Sequence, residues 1–280
     1  MPSRKKSFLE RWLHAPSPTI QALYIIVGIV LFAFGSTLLV VAVSPVPSLD
    51  TLSNKKITES TRILDRKGET VLHDLNPDVT RDVVTLSDIS ENIKNATVAI
   101  EDSSFYSHNG ISFTAIVRAI IVDVMTGSAA QGGSTITQQV VKNTLLTKEK
   151  SIIRKIHEWV LALKLEQRYS KDDILALYFN TTPYGGTLYG IEAATRAFFG
   201  KSAKDVTLGE AAYLAALPQA PTYFSPYGNN KEALEVRKNY VLDRMVEVGY
   251  ITEEEALVAK NEKVVFSPQK SNSIIAPHFV

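Results

Sequence analysis

The chain has 280 residues, 30 Lys and Arg against 29 Asp and Glu, a formal net charge of +1 and no cysteine. Balanced charge excludes the basic excess of a nucleic-acid binder, and missing thiols exclude a disulfide framework, a thiolate metal site and a cysteine nucleophile. The length allows one sizeable domain plus appendages.

In residues 1–22, Arg4, Lys5, Lys6 and Arg11 face only Glu10. The stretch Leu23–Val43, LYIIVGIVLFAFGSTLLVVAV, carries no charge. At about 1.5 Å per residue, a helix of that length spans about 30 Å, the hydrocarbon thickness of a bilayer. A signal-peptide core is usually shorter, although Ala42 and Ser44 leave a cleavage site open. The expectation is an uncleaved, single-pass anchor over 23–43. The positive-inside rule then keeps the basic tail cytoplasmic and puts everything after residue 44 on the outer face of the cell membrane.

Residues 44–85 read as a linker with a β hairpin. Ser44–Asp50 (SPVPSLD) holds two prolines, and 61–74 alternates around a Lys67-Gly68 turn. From 86 to 262 helical signals dominate, so the fold class is mainly α. Ser87 is positioned to cap a helix bearing Ile89, Ile93, Ala96 and Ile100. Ile116–Met125 is strongly apolar, Gly132-Gly133 breaks the chain, and Ser134 can cap a helix through Asn143. Over 151–168, Ile152, Ile156, Trp159, Val160 and Leu163 share one side. Ser170 with Asp173, Thr207 with Glu210 and Thr252 with Glu255 have the spacing of capping boxes. Pro183–Gly190 (PYGGTLYG) reads as a loop, and no period suggests a repeat array.

Three segments carry polar groups suited to chemistry. Glu101 and Asp102 end a helix, where the macrodipole and apolar neighbours raise a carboxyl pKa and favour a general base or acid; an exposed polar pair is the plain alternative. Arg154 and Glu158 share a helix face opposite the apolar stripe, either as a surface ion pair or as a carboxylate held by cations that also grip phosphate. In QGGSTITQQVVKN (131–143), the helix start at Ser134 and Thr135 offers free N–H groups, and Gln138 and Lys142 lie one turn apart. The five histidines are scattered, and His108 has no evident metal co-ligand. Glu210 is accounted for by its cap.

Taken together, these segments resemble the glycosyltransferase domain of class A penicillin-binding proteins and the monofunctional murein polymerases. EDSSFYSHNG is similar to that family's first motif, E-D-x-x-F-x-x-H-x-G, and GGSTITQQ with Lys142-Asn143 to the second. Arg154-Lys155-x-x-Glu158 is similar to the third, ILALYFNTTPYGG to the fourth, with Phe179 where Leu is frequent, and EAAYLAALPQAPTYFSP to the fifth. The resemblance implies a lysozyme-like fold and lipid II as substrate, polymerised into a β-1,4 glycan. It implies Glu101 and Glu158 as the catalytic carboxylates and Lys142 and Lys150 as phosphate-binding cations. Ser134, Thr135, Gln138, Gln139, Asn143, Arg154 and Lys155, with Asp102, Phe105 and His108 of the first motif, complete the expected substrate site. A divalent ion, Mg²⁺ or Mn²⁺, would be carried on the pyrophosphate near Glu101 or Glu158.

Further expected partners are the growing glycan, the membrane and other cell-wall synthesis or division proteins, with no nucleic acid. Residues 263–280, ending SNSIIAPHFV, resemble the start of a linker towards a transpeptidase domain. Ser-x-x-Lys strings at Ser53–Lys56 and Ser267–Lys270 lack a following K-T-G, so transpeptidation is not expected of this stretch. Two other readings remain at this level. A lysozyme-like hydrolase also uses two carboxylates, and a membrane scaffold would need neither.

Overall fold

The computed structural model describes residues 18–43, 48, 62–64, 71–74, 82–112, 114–118, 133–146 and 151–269. The chain divides into two units, Met1–Pro45 and Val46–Val280. The first holds a 26-residue helix, α1 (Pro18–Val43), with no acidic or basic residue in its terminal turns. Its side chains at Thr19, Thr37, Leu38, Val40, Val41 and Ala42 lie outside the described residues. Among the described residues no helix is long and apolar enough to cross a membrane.

The second unit begins with β1 (Arg62–Leu64) and β2 (Val71–Asp74), an antiparallel pair with a register irregularity at Ile63/Leu64. The expected Lys67-Gly68 turn lies outside the described residues. Helices then follow: α2 (Glu91–Glu101), α3 (Ile136–Thr144), α4 (Ile152–Arg168) and α5 (Lys171–Thr181). A two-strand hairpin comes next, β3 (Pro183–Gly185) with β4 (Leu188–Tyr189). The chain closes with α6 (Ile191–Phe199), α7 (Leu208–Ala216), α8 (Lys231–Val248) and α9 (Glu253–Asn261). The domain is mainly α, as the periodicity predicts. Of the apolar segment Ile116–Met125, only 116–118 are described, and they are helical.

Side-chain caps set the helix ends. The capping boxes at Ser170, Thr207 and Thr252 all form, so Glu210 bonds back to its own N-cap backbone. Two expected caps move. Residues 86–88 make a separate 3₁₀ turn, and Ser90 rather than Ser87 caps α2. Thr135 rather than Ser134 caps α3, because Gln138 stands three residues beyond Thr135 and closes a capping box. The expected loop at 183–190 contains the β3–β4 hairpin, its ends turned by Gly185 (φ +117°) and Gly190 (φ +86°).

Two groups of helices position the site. In one, α2, α7 and α8 pack against each other and α8 carries α9. α7 is able to lie close because Ala211, Ala212, Ala215 and Ala216 are all buried. In the other, α3 packs on α4 and α5. There α4 departs from the expectation of its apolar stripe. Its buried residues are Glu158, Ala162 and Leu165, whereas Ile152 is 83% exposed and Ile153 62%. The inward face therefore joins Glu158 to the core residues Ala162 and Leu165, while Ile156, Trp159 and Val160 are half-buried.

Candidate active site

Glu101 is the last residue of α2, and Gln139 of α3 donates its amide Nε2 to Glu101 Oε2 at 2.6 Å. Burial raises the Glu101 carboxyl above its ordinary value. The Gln139 hydrogen bond and the charges of Arg237 and Lys142 oppose that rise, and Asp102 adds to it. Two buried tyrosines, Tyr178 of α5 and Tyr184 of β3, also feel the Glu101 charge, and burial raises both phenols. The Tyr178 hydroxyl has no hydrogen-bond partner of good geometry among the described residues.

Asp102, next in sequence, has a different task. It is 6% exposed and accepts from His108 Nε2 at 2.9 Å and from the Ile136 backbone N–H at 3.1 Å. Gly110 N–H donates to His108 Nδ1 at 3.1 Å. Nδ1 is thus the acceptor, which assigns the ring proton to Nε2 and makes that atom the donor to Asp102. Thr135 Oγ1 closes the latch by donating to the Gly110 carbonyl at 2.7 Å. The loop after α2 is thereby tied to the start of α3, where free N–H groups donate readily to a carboxylate.

The cations gather beside the start of α3. Lys155 Nζ reaches Ser134 Oγ at 2.9 Å and pairs with Glu158 Oε1; Arg154 approaches Glu158 Oε2 at 3.6 Å. The Glu158 side chain is 2% exposed, while Lys155 keeps 37%. Lys142 lies among these groups. Partial burial holds its ammonium below the usual value, Glu158 and Glu101 pull it up, and Lys155 and Arg154 push it down. Both carboxylates therefore bear electrostatically on the Lys142 ammonium.

The structure thus brings together Glu101, Gln139, Lys142, Ser134, Arg154, Lys155 and Glu158. Asp102, His108 and Thr135 form the latch behind them, and Gln138 is fully buried in its capping box. Phe105 is fully buried, edge-on to His108 at 6.2 Å between centroids. Asn143 is half-buried beside Lys142, and Lys150 lies outside the described residues. Arg237 was not foreseen. Its Nε is buried without a hydrogen-bond partner among the described residues, and its charge bears on Glu101. A signal existed, since Leu234, Lys238 and Val241 form the buried stripe of α8 and Arg237 flanks it by one turn. Tyr184 also lines a cavity of about 600 Å³ with Gly185, Arg196, Phe198, Pro221 and Tyr227.

Among the described residues no group of three or more His, Cys, Asp or Glu side chains could hold a metal ion. Glu158 is already paired with two cations. The donor set therefore suits an ion carried on a phosphate rather than one held by the protein.

A carboxyl raised by desolvation thus stands beside a cluster of cations paired with a second carboxylate. The profile of the transglycosylase family matches residues 68–246. The chain belongs to that family, the peptidoglycan glycosyltransferases. Among its relatives, penicillin-binding protein 1A of Aquifex aeolicus (strain VF5) is 42% identical over 243 residues, 85% of this chain and 32% of that protein. Penicillin-binding protein 1F of Bacillus subtilis (strain 168) is 38% identical over 218 residues, covering 76% and 29%. The chain spans about a third of the length of these relatives. A 2.6 Å crystal structure of penicillin-binding protein 1A from Haemophilus influenzae aligns with 68% of this chain and 19% of its own, at 26% identity and a TM-score of 0.42.

Proposed function

We propose that this chain polymerises lipid II into β-1,4-linked glycan strands on a lysozyme-like scaffold. In this reading the 4-hydroxyl of the acceptor GlcNAc gives its proton to Glu101 as its oxygen attacks C1 of the donor MurNAc. The C1–oxygen bond to undecaprenyl pyrophosphate breaks in the same displacement, and the anomeric centre inverts. The leaving group is a weak base, so it needs positive charge more than a proton. Lys142, Lys155 and Arg154 supply that charge, with Lys150 as a further cation. Glu158 holds the cations in place, and Mg²⁺ or Mn²⁺ would travel on the pyrophosphate.

What supports the reading is the contrast between the two carboxylates: Glu101 takes its hydrogen bond from the Gln139 amide, whereas Glu158 pairs with Lys155 and lies 3.6 Å from Arg154. The Glu101 carboxyl is raised by burial and has no ion-pair partner among the described residues, while Glu158 is ion-paired. A base tuned upwards and cations that neutralise a phosphate leaving group are the two requirements of the transfer. We infer further that residues 23–43 anchor the chain in the cell membrane, with the catalytic domain on the outer face. The growing glycan is then its second substrate, and other cell-wall synthesis proteins are its neighbours. The test is polymerisation of lipid II by the detergent-solubilised chain. Long glycan with released undecaprenyl pyrophosphate is expected; cleavage of finished glycan with no polymer would replace this reading with hydrolysis.

A further inference from the structure

Glu158, Ala162 and Glu166 succeed one another by four residues and lie along one face of α4. At one end Glu158 holds the cations. At the middle, the helix backbone meets the loop that follows Glu101. A Cβ added at Gly110 (φ +86°) would lie 2.9 Å from the Ala162 carbonyl oxygen and 3.2 Å from Glu166 Cγ. At the far end the Glu166 carboxylate accepts from Thr137 Oγ1 of α3 and from Lys171 Nζ at 2.8 Å. Lys171 Nζ also donates to the His108 carbonyl at 2.6 Å and stands 4.5 Å from the Phe105 ring centroid.

This is not an ordinary surface pair. The two side chains are 20% and 5% exposed, and their third partner is a loop carbonyl, so one ammonium joins two helices to the loop. Lys171 is the first residue of α5, where the helix dipole disfavours a cation. Its position there is explained by what it reaches.

We propose that Lys171 and Glu166 are positioning residues that clamp the 102–110 loop onto α4 and so fix where Glu101 stands relative to Glu158. The inference rests on the reading of Glu101 as the base. Releasing the His108 carbonyl frees the ring that holds Asp102, and Asp102 adjoins Glu101. Neither clamp residue meets the reacting atoms, so their loss acts on turnover rather than on substrate affinity.

The experiment compares Lys171→Met, Lys171→Arg and Glu166→Gln with the parent in the full detergent-solubilised chain. Lys171→Met keeps the apolar stem over Phe105 and removes the charge. Its kcat for lipid II polymerisation should fall about 10- to 100-fold, the cost of a small misplacement, with KM within about twofold of the parent. Lys171→Arg should recover most of the loss. Because burial is the main cause of the raised Glu101 pKa, water entering the loosened loop should move the acid limb of the rate profile to lower pH. The other groups facing Glu101 (Gln139 and Lys142 on α3, Arg237 on α8, Tyr178 on α5 and Tyr184 on β3) are not substituted, while Asp102 shifts with the loop. Amide exchange at Gly110 and Ile136, whose N–H groups bond the latch, should quicken. A kcat within twofold of the parent overturns the proposal, as does a lower kcat with the acid limb and both exchange rates unmoved. A parent chain that makes no polymer would instead overturn the activity reading, and the exchange rates alone would then decide whether the clamp exists.

Discussion

Two regions of the domain each deliver one carboxylate, and they treat it in opposite ways. The bundle of α2, α7 and α8 packs alanine against its neighbours and ends with Glu101 in a poorly solvated position, hydrogen-bonded to the Gln139 amide. The pair α3 and α4 turns Glu158 inwards and surrounds it with Lys155 and Arg154, leaving Ile152 and Ile153 outside. In the proposed mechanism the same side chain is a proton acceptor in one setting and a brace for cations in the other. Environment, not residue type, assigns the roles.

The sharpest way to break this comparison is to neutralise each carboxylate without changing its size. Glu101→Gln should lower lipid II turnover by about 10²- to 10⁴-fold, the usual worth of a general base, while the fold and donor binding survive. Turnover within tenfold of the parent would place the base elsewhere, with Asp102 as the next candidate.

Lys142→Ala comes next. It should leave the melting temperature near that of the parent but severely weaken donor use. It should also weaken binding of moenomycin, a phosphoglycolipid that the family resemblance implies occupies the donor site. Isothermal titration measures this directly, and unchanged affinity would remove Lys142 from the donor site.

Glu158→Gln should reach stability as well as binding. It leaves Lys155 and Arg154 without their counter-charge at a buried site, at a cost of about 1–3 kcal/mol once solvent screening of the half-exposed lysine is allowed for. Thermal melting should show the loss for Glu158→Gln and not for Glu101→Gln.

The smallest effect has the opposite sign. A carboxyl whose folded pKa lies above its unfolded value binds its proton more tightly in the native state. Stability therefore falls as pH rises from the ordinary glutamate value through the raised one. At neutral pH the parent carries that penalty and Glu101→Gln does not, so the variant should melt slightly higher. Near pH 4 the difference should vanish, because both states are then largely protonated.

Much of this contrast was legible in the residues. The capping boxes at Ser170, Thr207 and Thr252 were found by spacing alone, because a cap is a local contact three residues long. Glu101 at a helix end surrounded by apolar neighbours pointed to a raised pKa for the same reason. Periodicity was less informative for α4. The stripe through Ile152, Ile156, Trp159 and Leu163 says that the helix has two unlike faces, but only the tertiary fold says which one is covered. Here the inward face is the one with Glu158, Ala162 and Leu165, where the site borders the core. Arg237 and the tyrosines at 178 and 184 converge on Glu101 from α8, α5 and β3, and no local pattern announces a meeting of segments so far apart in sequence.

The bonding of His108 gives the loop an internal reporter. With Gly110 N–H directed at Nδ1 and Asp102 taking the proton of Nε2, the ring is held in a single tautomer. Nitrogen NMR separates a bare Nδ1 from a protonated one. The imidazole of this residue can therefore be followed as a direct readout of whether the latch is shut, in the resting protein and as substrate arrives. Adding a second proton to the ring would set two donors, Nδ1–H and Gly110 N–H, face to face. A shut latch therefore reports a single protonation form of the ring, the one whose Nδ1 still accepts from Gly110.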